Sequence, residues 1–517
     1  MANKTLFKSL VGKLIGETTA VNEELAPAYA FTPQQALAQY TATGCLNRTF
    51  YATAGEQLDT VRSLCAKVPA EFVARTAVYA REQGAMKDMP ALLCAVLASR
   101  SPELLGRVFE RVIDNGKMLR NFVQIIRSGV AGRKSLGTLP RRLVRDWLDA
   151  REDEAVFRAC VGNDPSLADI VKMVHPKPRT KSREALYGYM IGRQVDTTAL
   201  PEVVRRFEEF KADPRGEAPD VPFEMLTGLS LGRREWTQIA RQGGWQMTRM
   251  NLNTFVRHGV FADREMVAFV ADRLRDRDAI RKARAFPYQL LMGCQAARKG
   301  VPAEIREALQ DAMEIAIENV PRVEGRVIVC PDVSGSMGSS VTGHRKGATS
   351  AVRCIDVAAL VAAAIVRKNP TAQVLPFEHN VVPFRFNPRD SVMTNAQKLG
   401  GIGGGGTNCS APLRRLNGER ARGDLVIFIS DNQSWVDAGI GRGTATMREW
   451  NRFKKLNPSA RLVCIDIQPY GTTQACERED ILNVGGFSDR VFEIVKLFAD
   501  GKLKADHWVG VIEQVEL

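Results

Sequence analysis

The sequence predicts an α-helical repeat module followed by an α/β doubly wound domain. From about residue 30 to 320, apolar residues recur at i, i+3, i+4 and i+7 between short Gly or Pro joints, which is typical of amphipathic helices. After residue 322, short runs that are apolar throughout alternate with helical segments, as in a parallel sheet covered on both faces. We therefore predict two domains, 1–322 and 323–517.

The helical part shows its periodicity most clearly in five segments. They are AEFVARTAVYAREQG, LLGRVFERVIDNGKMLRNFVQIIRSGV, LPRRLVRDWLDA, MVAFVADRLRDRDAIRKARAF and AEIREALQDAMEIAIENV. Their number and spacing suggest roughly seven degenerate helix pairs of the HEAT kind, which stack into curved arrays with long concave faces. The first 16 residues, MANKTLFKSLVGKLIG, are amphipathic and fit either a docking helix or a membrane anchor or targeting peptide.

The second part alternates strands and helices in chain order. The predicted strands are GRVIVCPD, AQVLPFE, VVPFRF, DLVIFISD and ARLVCIDI, and the predicted helices are CIDVAALVAAAIVRKN, TATMREWNRFKKLN and RVFEIVKLFAD. A glycine-rich loop, GGIGGGGTNCS, precedes the strand DLVIFISD. In such a sheet the functional loops lie at the carboxyl ends of the strands.

Composition limits the class of protein. The chain has 517 residues, 45% of them hydrophobic, and a net charge of +14. No apolar run approaches the ~20 residues of a membrane span, so we expect no transmembrane helix. The ten cysteines include no CxxC pair, which argues against a disulfide framework or a zinc ribbon and favours the reducing cytoplasm. The basic excess favours a polyanionic partner, although solvated surface charge is the alternative.

One loop carries the most informative chemistry, because the first strand of the second domain ends in Asp332 and then presents Ser334 and Ser336. A serine nucleophile is disfavoured, since the G-x-S-x-G elbow is missing. A phosphoaspartyl transferase would need a second acid two residues after Asp332, where Ser334 stands. A phosphate loop would need a closing G-K-[ST].

A metal site explains more of the sequence. Thr407 follows the glycine loop and Asp431 ends a buried strand, so that five oxygen-bearing side chains come from three loops at one sheet edge. Hard oxygens with few charges suit Mg²⁺, with Mn²⁺ as the second choice, and leave a position for an outside carboxylate or phosphate. The alternatives are ordinary polar loops or, from the match of GIGGGG to G-x-G-x-x-G, a dinucleotide site out of its usual context.

These residues carry a resemblance to known families. The loop D-x-S-x-S with a downstream Thr and Asp is similar to the metal-ion-dependent adhesion site of the von Willebrand factor A domain, whose ligand positions are filled by Asp332, Ser334, Ser336, Thr407 and Asp431. The blocks SGVAGRKSLGTLPRRLVRDWL, DIVKMVHPKPRTKSREALYGYMI and KARAFPYQLLMG resemble the TROVE module of the Ro autoantigen family. The resemblance covers nearly the whole chain in the same order.

The Ro resemblance implies both a fold and a role. It implies a ring of HEAT-like repeats closed by the A-type domain, and a monomeric ribonucleoprotein in the cytoplasm. It further implies binding of small noncoding Y RNAs on the outer face and of single-stranded 3′ ends of misfolded RNAs in the cavity. Bacterial members are associated with exoribonucleases such as polynucleotide phosphorylase. His175, in the MVHPKP block, lies where the family places a Y RNA contact.

Two dense clusters of cations in the helical module agree with an RNA partner, because cations that contact phosphates supply affinity without reading sequence. The first cluster comprises Arg127, Arg133, Lys134, Arg141, Arg142 and Arg145, and the second Lys172, His175, Lys177, Arg179, Lys181 and Arg183. Any single one of them could be a solvated surface charge. The stretch 233–257 interleaves five arginines with Trp236 and Trp245, which fits either single-strand stacking or core tryptophans.

Three classes of function stay open at this point. The first is a non-enzymatic RNA-binding scaffold, the second a metal-dependent nuclease, phosphatase or other RNA-processing hydrolase, and the third a protein-adhesion module. Metal-dependent hydrolysis needs carboxylates gathered around the ions or a base beside them, and the serine-rich loop offers few acids. We therefore predict that the protein is not an enzyme and that RNA is its partner.

Overall fold

The computed structural model describes most of the chain. The described residues are 17–44, 46, 48–283, 287, 290, 293, 300–318, 320, 322–341, 352–387, 389–437, 443–486, 488–503 and 507–517. The predicted amphipathic segment 1–16 lies outside them, as does much of the block 282–293. Two compact units emerge from the contacts: an α/β unit of Met1–Gln57 with Ile317–Val511, and a helical unit of Leu58–Ala316 with Ile512–Leu517.

These units differ from the predicted domains 1–322 and 323–517 at both chain ends. The N-terminal strands β1 (Ala20–Val21) and β2 (Pro27–Ala30) form a small antiparallel sheet with Thr472–Thr473, which is β7 in chain order. Helix Pro33–Thr43 packs on strand Ile481–Gly485, so closely that a Cβ at Gly485 would lie 2.1 Å from Gln39 Oε1. The N-terminal segment therefore belongs to the α/β unit through contacts that are remote in sequence.

The helical unit confirms the predicted class of fold for this part of the chain. Consecutive helices pack on one another, for example Ala70–Glu82 on Asp88–Arg100 and on Pro102–Val112. The described helices are Ala54–Lys67, Ala70–Glu82, Asp88–Arg100, Pro102–Val112, Gly116–Ser128, Thr138–Asp149, Asp153–Arg158, Leu167–Val174, Lys181–Met190, Glu202–Ala212, Arg233–Gln242, Trp245–Met250, Leu252–Arg257, Arg264–Arg275, Arg277–Ala283 and Ala303–Ala316.

The long periodic segment 104–130 belongs to two helices, Pro102–Val112 and Gly116–Ser128. Asn115 interrupts it: its side chain accepts a hydrogen bond of 3.1 Å from the Met118 amide and caps the helix Gly116–Ser128. Gly129, with φ of 86°, ends that helix in the left-handed region. Capping residues inside an apolar repeat thus divide it into the two helices of a pair.

The α/β unit is built on a five-stranded parallel sheet, as predicted. Its strands are β3 (Val327–Pro331), β4 (Gln373–Val374), β5 (Leu425–Ser430), β6 (Arg461–Asp466) and β8 (Ile481–Gly485), in the order β4-β3-β5-β6-β8. β3 and β5 are buried along their whole length, which accounts for their unbroken apolar sequences. The helices of the unit are Pro33–Thr43, Cys354–Lys368, Val392–Leu399, Ala411–Gly418, Ala445–Leu456, Asp489–Ala499 and His507–Glu513, the last of which runs into the helical unit.

Two strand assignments differ from the sequence prediction. The predicted strand VVPFRF forms only an isolated bridge at Val381, because Pro383 has no amide hydrogen to donate to a ladder. Strand β8 was not predicted, since Asn483 and Gly485 interrupt its apolar pattern. Among the described helices, none is long and apolar enough to cross a membrane.

Candidate functional site

The loop after β3 brings Asp332, Ser334 and Ser336 together at the carboxyl edge of the sheet. The Asp332 carboxylate accepts a hydrogen bond of 2.8 Å from the Ser334 amide, so the loop folds back around its own aspartate. The Ser334 and Ser336 hydroxyls lie 3.3 Å apart. A short 3-10 turn, Gly335–Gly338, directs the second hydroxyl toward the first.

The glycine-rich loop wraps the same turn at close range. The Gly335 amide donates to the Gly405 carbonyl at 2.8 Å, and the Gly404 amide donates to the Val333 carbonyl at 2.8 Å. Gly403 has a φ of 87°, and a Cβ there would lie 2.1 Å from the Val333 carbonyl oxygen. Only glycine fits this approach, which explains the GIGGGG sequence without a dinucleotide.

The loop after β5 contributes the second aspartate. Asp431 is 1% exposed, and its Oδ2 atom is buried with no hydrogen-bond partner. The Ser336 hydroxyl lies close to the Asp431 carboxylate, so the two loops meet at this point. Thr407 is buried as well. Its carbonyl accepts hydrogen bonds from the Trp435 and Val436 amides at 3.0 and 3.2 Å, which holds it beside the loop after β5.

Electrostatics in this pocket disfavour two ionised aspartates. Burial, and after it the neighbouring Asp431 carboxylate, raise the pKa of Asp332 to about 7. Burial also raises the pKa of Asp431. Buried like charges repel one another, and a cation between them would remove that penalty.

These features fit a hard divalent cation. The residues offer carboxylate and hydroxyl oxygens, an unpartnered buried carboxylate oxygen and excess negative charge, which suit Mg²⁺ or Mn²⁺. No group of three or more His, Cys, Asp and Glu side chains that could hold a metal occurs in the described part of the chain. An ion at this edge of the sheet would therefore depend on Ser334, Ser336 and Thr407 as well as on the two aspartates.

Several residues of this pocket escaped the sequence analysis. The Ser430 hydroxyl donates to Asp332 Oδ2 at 2.6 Å and fixes the orientation of that carboxylate. The position of Ser430 directly before Asp431 in the sequence could have indicated that it belongs to the site. The Gln433 amide donates to Asp431 Oδ1 at 3.4 Å. Tyr51 and Glu24, from the N-terminal segment, reach the same pocket, and no local pattern could have placed them there.

A second candidate site lies in the helical unit, where exposed cations cluster around two packed helices. The Arg145 guanidinium donates to the Val174 carbonyl, which joins Thr138–Asp149 to the end of Leu167–Val174. Arg179 pairs with Asp149 at 3.2 Å. We call the exposed members of the two clusters near these contacts the basic surface: Lys134, Arg141, Arg142, Lys172, His175, Lys177 and Arg179.

His175 holds a special place on the basic surface. It ends the helix Leu167–Val174 with a left-handed φ of 49°, and its amide donates to the Val171 carbonyl at 3.0 Å. The imidazole is exposed, so the residue ends the helix with its backbone while its ring stays available to a ligand. The structure is therefore compatible with the predicted RNA contact at His175 as well as with a role in ending the helix.

Two of the predicted RNA-facing cations are structural instead. Arg133 donates to the Ala98 and Ser135 carbonyls, both at 2.9 Å, and is only partly exposed. Arg183 is 8% exposed, pairs with Asp153 and donates to the Leu148 carbonyl at 2.8 Å. Their guanidinium groups are engaged by backbone carbonyls of the fold and are therefore poorly placed to contact phosphates.

The Arg/Trp stretch 233–257 does not form a stacking platform. Trp236 is 5% exposed and stacks on His258 at 4.3 Å between ring centroids. Trp245 is also buried, and its indole nitrogen donates to the Leu274 carbonyl at 3.1 Å. Of the two alternatives for these tryptophans, the structure therefore shows the core one, because both rings pack in the helical core.

The fold and the loop at its sheet edge together define an A-type α/β domain, in which two serines follow the aspartate after the first strand of the parallel sheet. Residues 326–499 match the family model of the Ro60 vWA domain. The chain is 25% identical over 511 residues to the RNA-binding protein RO60 of Deinococcus radiodurans, covering 92% of this chain and 94% of that protein. The predicted resemblance to the Ro family is thereby confirmed.

Two further comparisons agree. The chain is 22% identical over 252 residues to the RNA-binding protein RO60 of Caenorhabditis elegans, covering 47% of this chain and 38% of that protein. The crystal structure of the Ro (RSR) protein of Deinococcus radiodurans matches with a TM-score of 0.63 at 23% identity. That match covers 91% of this chain and all of the other, so the fold is shared along nearly the whole length.

Proposed function

We propose that this chain is a non-enzymatic RNA-binding protein whose helical unit holds RNA on the basic surface. The observation that carries the proposal is the convergence of exposed, largely unpaired cations around Thr138–Asp149 and Leu167–Val174. Two proteins to which this chain is similar are named RNA-binding proteins, which supports RNA as its partner. Cations that face solvent from rigid helices neutralise phosphates without selecting bases.

The RNA that suits this surface is a small, structured one of the Y-like kind. The side chains of the basic surface come from two packed helices and from the loops beside them, so they match the spaced phosphates of a folded RNA. Lys172, His175, Arg141 and Arg142 are the leading contacts. They are exposed and lie on the two helices or, for His175, directly after one.

Salt dependence of binding tests this proposal. Each phosphate contact contributes about 0.7–0.9 to the slope of log K against log salt. The variant Lys172→Ala with His175→Ala should flatten the slope by about 1–2 and weaken binding of a small structured Y-like RNA. The matched control is Arg62→Ala with Lys67→Ala, also exposed on the helical unit, which should leave both quantities unchanged. Equal behaviour of the two pairs would move the RNA to another surface.

We further propose that RNAs with free single-stranded 3′ ends bind the same protein in RNA quality control, together with an exoribonuclease such as polynucleotide phosphorylase. The proposal rests on the Ro resemblance and its implied ring, with the protein acting as a cytoplasmic monomer. A gel-shift titration compares one hairpin in blunt form and with a 3′ tail of about ten nucleotides. Tighter binding of the tailed hairpin, with competition from the small structured RNA, supports the proposal; equal affinity contradicts it.

The α/β unit, we propose, binds one Mg²⁺ through Asp332, Ser334, Ser336, Thr407 and Asp431. When bound, the ion would supply an electrophilic centre with room for a further oxygen ligand. Calorimetric titration with Mg²⁺ tests this in the parent and in Asp332→Ala. The control is Asp437→Asn, which changes an aspartate of the same loop that pairs with Arg414. Retention of binding in Asp332→Ala would place the ion elsewhere.

A further inference from the structure

The proposed metal site is closed to an outside ligand in this structure. Asp332, Ser334, Ser336, Thr407 and Asp431 are each at most 6% exposed. A cation that keeps a position for an external oxygen ligand needs access from solvent. Something must therefore move before such a ligand can bind, and the question is which segment covers the site.

The N-terminal turn 22–26 is fastened to the loop that carries Asp431. The Asn22 side chain donates to the Ser434 carbonyl at 2.7 Å, and the Glu23 amide donates to Gln433 Oε1 at 3.0 Å. Asn22 Oδ1 in turn accepts from the Glu24 and Ala26 amides at 3.1 and 2.9 Å. These bonds hold the turn in one orientation over the loop.

The turn and Tyr51 reach the metal site. The Tyr51 hydroxyl lies close to the Glu24 carboxylate and to the Ser336 hydroxyl, and Ser336 lies close to Asp431. The Tyr51 ring packs edge-to-face on Tyr470, with 5.7 Å between ring centroids. A carboxylate from outside the A-type loops is thus placed near two of the proposed ligands.

The position of Glu24 and the backbone conformation of Leu25 both cost free energy, which indicates that the turn has a function. Glu24 adds negative charge close to Asp431. Leu25, next to it, adopts a left-handed φ of 58° and leaves its side chain 81% exposed. A bulky residue in this conformation is strained, and such strain often accompanies ligand clamps and switches.

We propose that the turn 22–26 and Tyr51 form an intramolecular cap on the metal site, which an outside carboxylate must displace to reach the ion. The inference rests on the proposed metal site. Glu24 acts as a cap and not as a third carboxylate ligand, since the described residues contain no three-acid group able to hold a metal. Its carboxylate imitates the charge of the ligand that it excludes.

Calorimetric titration of acetate into the Mg²⁺-loaded protein tests the cap, with the full chain throughout. Glu24→Gln keeps the size of the side chain and removes its charge. We expect it to raise the acetate affinity about tenfold, the gain that follows if the open form makes up roughly a tenth of the parent. The matched control is Glu23→Gln, a change of the same kind in the same turn, whose side chain faces Glu56. This control should bind acetate as the parent does.

A second variant addresses the cap without touching Glu24. Asn22→Ala removes the bonds to Ser434 and within the turn, and should give the same gain in acetate affinity. Hydrogen exchange provides an independent measurement: the amides of residues 22–26 should exchange faster when acetate and Mg²⁺ are both present.

The outcomes separate the two proposals. If the parent binds Mg²⁺ but Glu24→Gln and Asn22→Ala both bind acetate like the parent, and exchange in 22–26 is unchanged, the cap is overturned and the metal site stands. If the parent binds no Mg²⁺, or Asp332→Ala binds it equally well, the proposed metal site and the cap both fail.

Discussion

The proposed metal site and the basic surface are built in opposite ways. The metal site gathers side chains from loops separated by up to about a hundred residues, buries them and lets each alter the ionisation of the next. The basic surface takes its side chains from two short stretches and leaves them exposed. We therefore expect Mg²⁺ binding at the metal site to respond sharply to single substitutions and to pH. RNA binding at the basic surface should instead change additively as cations are removed.

The largest expected effect is on stability, and it distinguishes a buried arginine of the second basic cluster from an exposed arginine of the first. Arg183→Met leaves Asp153 and buried carbonyls without their donor, and removing one partner of a buried pair typically costs about 3–5 kcal/mol. Arg141→Ala, at an exposed position, should change the free energy of unfolding by less than about 0.5 kcal/mol. Urea unfolding measures both. If Arg141→Ala destabilises as much as Arg183→Met, the basic surface is part of the fold.

The next effect concerns the ion itself. Free Mg²⁺ at a hundred times its dissociation constant should stabilise the parent by about 2.7 kcal/mol, because it binds only the folded state. Asp431→Ala removes the unpartnered carboxylate and should abolish this gain. Thermal unfolding with Mg²⁺ or with EDTA gives the comparison. The basic-surface variant Lys172→Ala with His175→Ala should keep the full gain, and its loss there would show that the two sites are coupled.

A pH effect distinguishes the buried acids from the exposed cations. Burial raises the pKa of Glu477 from 4.5 to about 7, so the folded state holds a proton that the unfolded state releases above pH 4.5. The contribution of Glu477 to stability is therefore fully present below pH 4.5 and lost as the pH rises toward 7. Glu477→Gln should reduce the fall in stability between pH 5 and 7.5 by on the order of 2 kcal/mol.

The control for the pH experiment is Glu479→Gln, which changes an exposed glutamate two residues further on. Its unfolding free energy should follow that of the parent at every pH. A parent-like pH profile of Glu477→Gln would mean that Glu477 stays ionised in the folded protein.

The smallest effect compares neighbours within the first basic cluster. Arg133→Ala loses hydrogen bonds to the Ala98 and Ser135 carbonyls and should destabilise by about 1 kcal/mol, with little change in the salt slope of RNA binding. Lys134→Ala should leave stability unchanged and flatten that slope by about 0.7–0.9. Denaturant unfolding of both variants measures the change in stability, and filter binding at several salt concentrations measures the change in slope. The reverse assignment would place Arg133, and not Lys134, against RNA.

Local sequence patterns were sufficient for most of the fold. Apolar periodicity located the helices, and fully apolar runs located β3, β5 and β6. They failed where the deciding contact is remote: β2 pairs with β7, more than four hundred residues later, and β1 joins the α/β unit through β2. Strand β8 was missed because its partner β6, and not its own composition, makes it a strand.

The same distinction applies to the candidate sites. Asp332, Ser334, Ser336 and Asp431 could be predicted, since each follows a recognisable strand and the edge of a parallel sheet brings such positions together. Cation clusters were visible as well, but sequence could not separate Arg133 and Arg183, which bind carbonyls of the fold, from their exposed neighbours. Tyr51 and Glu24 were beyond reach because only the folded chain brings them to the site.

The pairing between the two ends of the chain has a consequence for biosynthesis. Asn22 bonds to Ser434, 412 residues later, so the N-terminal strands leave the ribosome long before their partners exist. At about 5–20 residues per second, they wait roughly 20–80 s while the whole helical unit is made. During that interval their hydrogen-bonding edges are open to other chains, and a chaperone or the helical unit itself must shield them. The nascent protein is therefore most prone to misassembly at β1 and β2, because they are made early and can pair with β7 only late in synthesis.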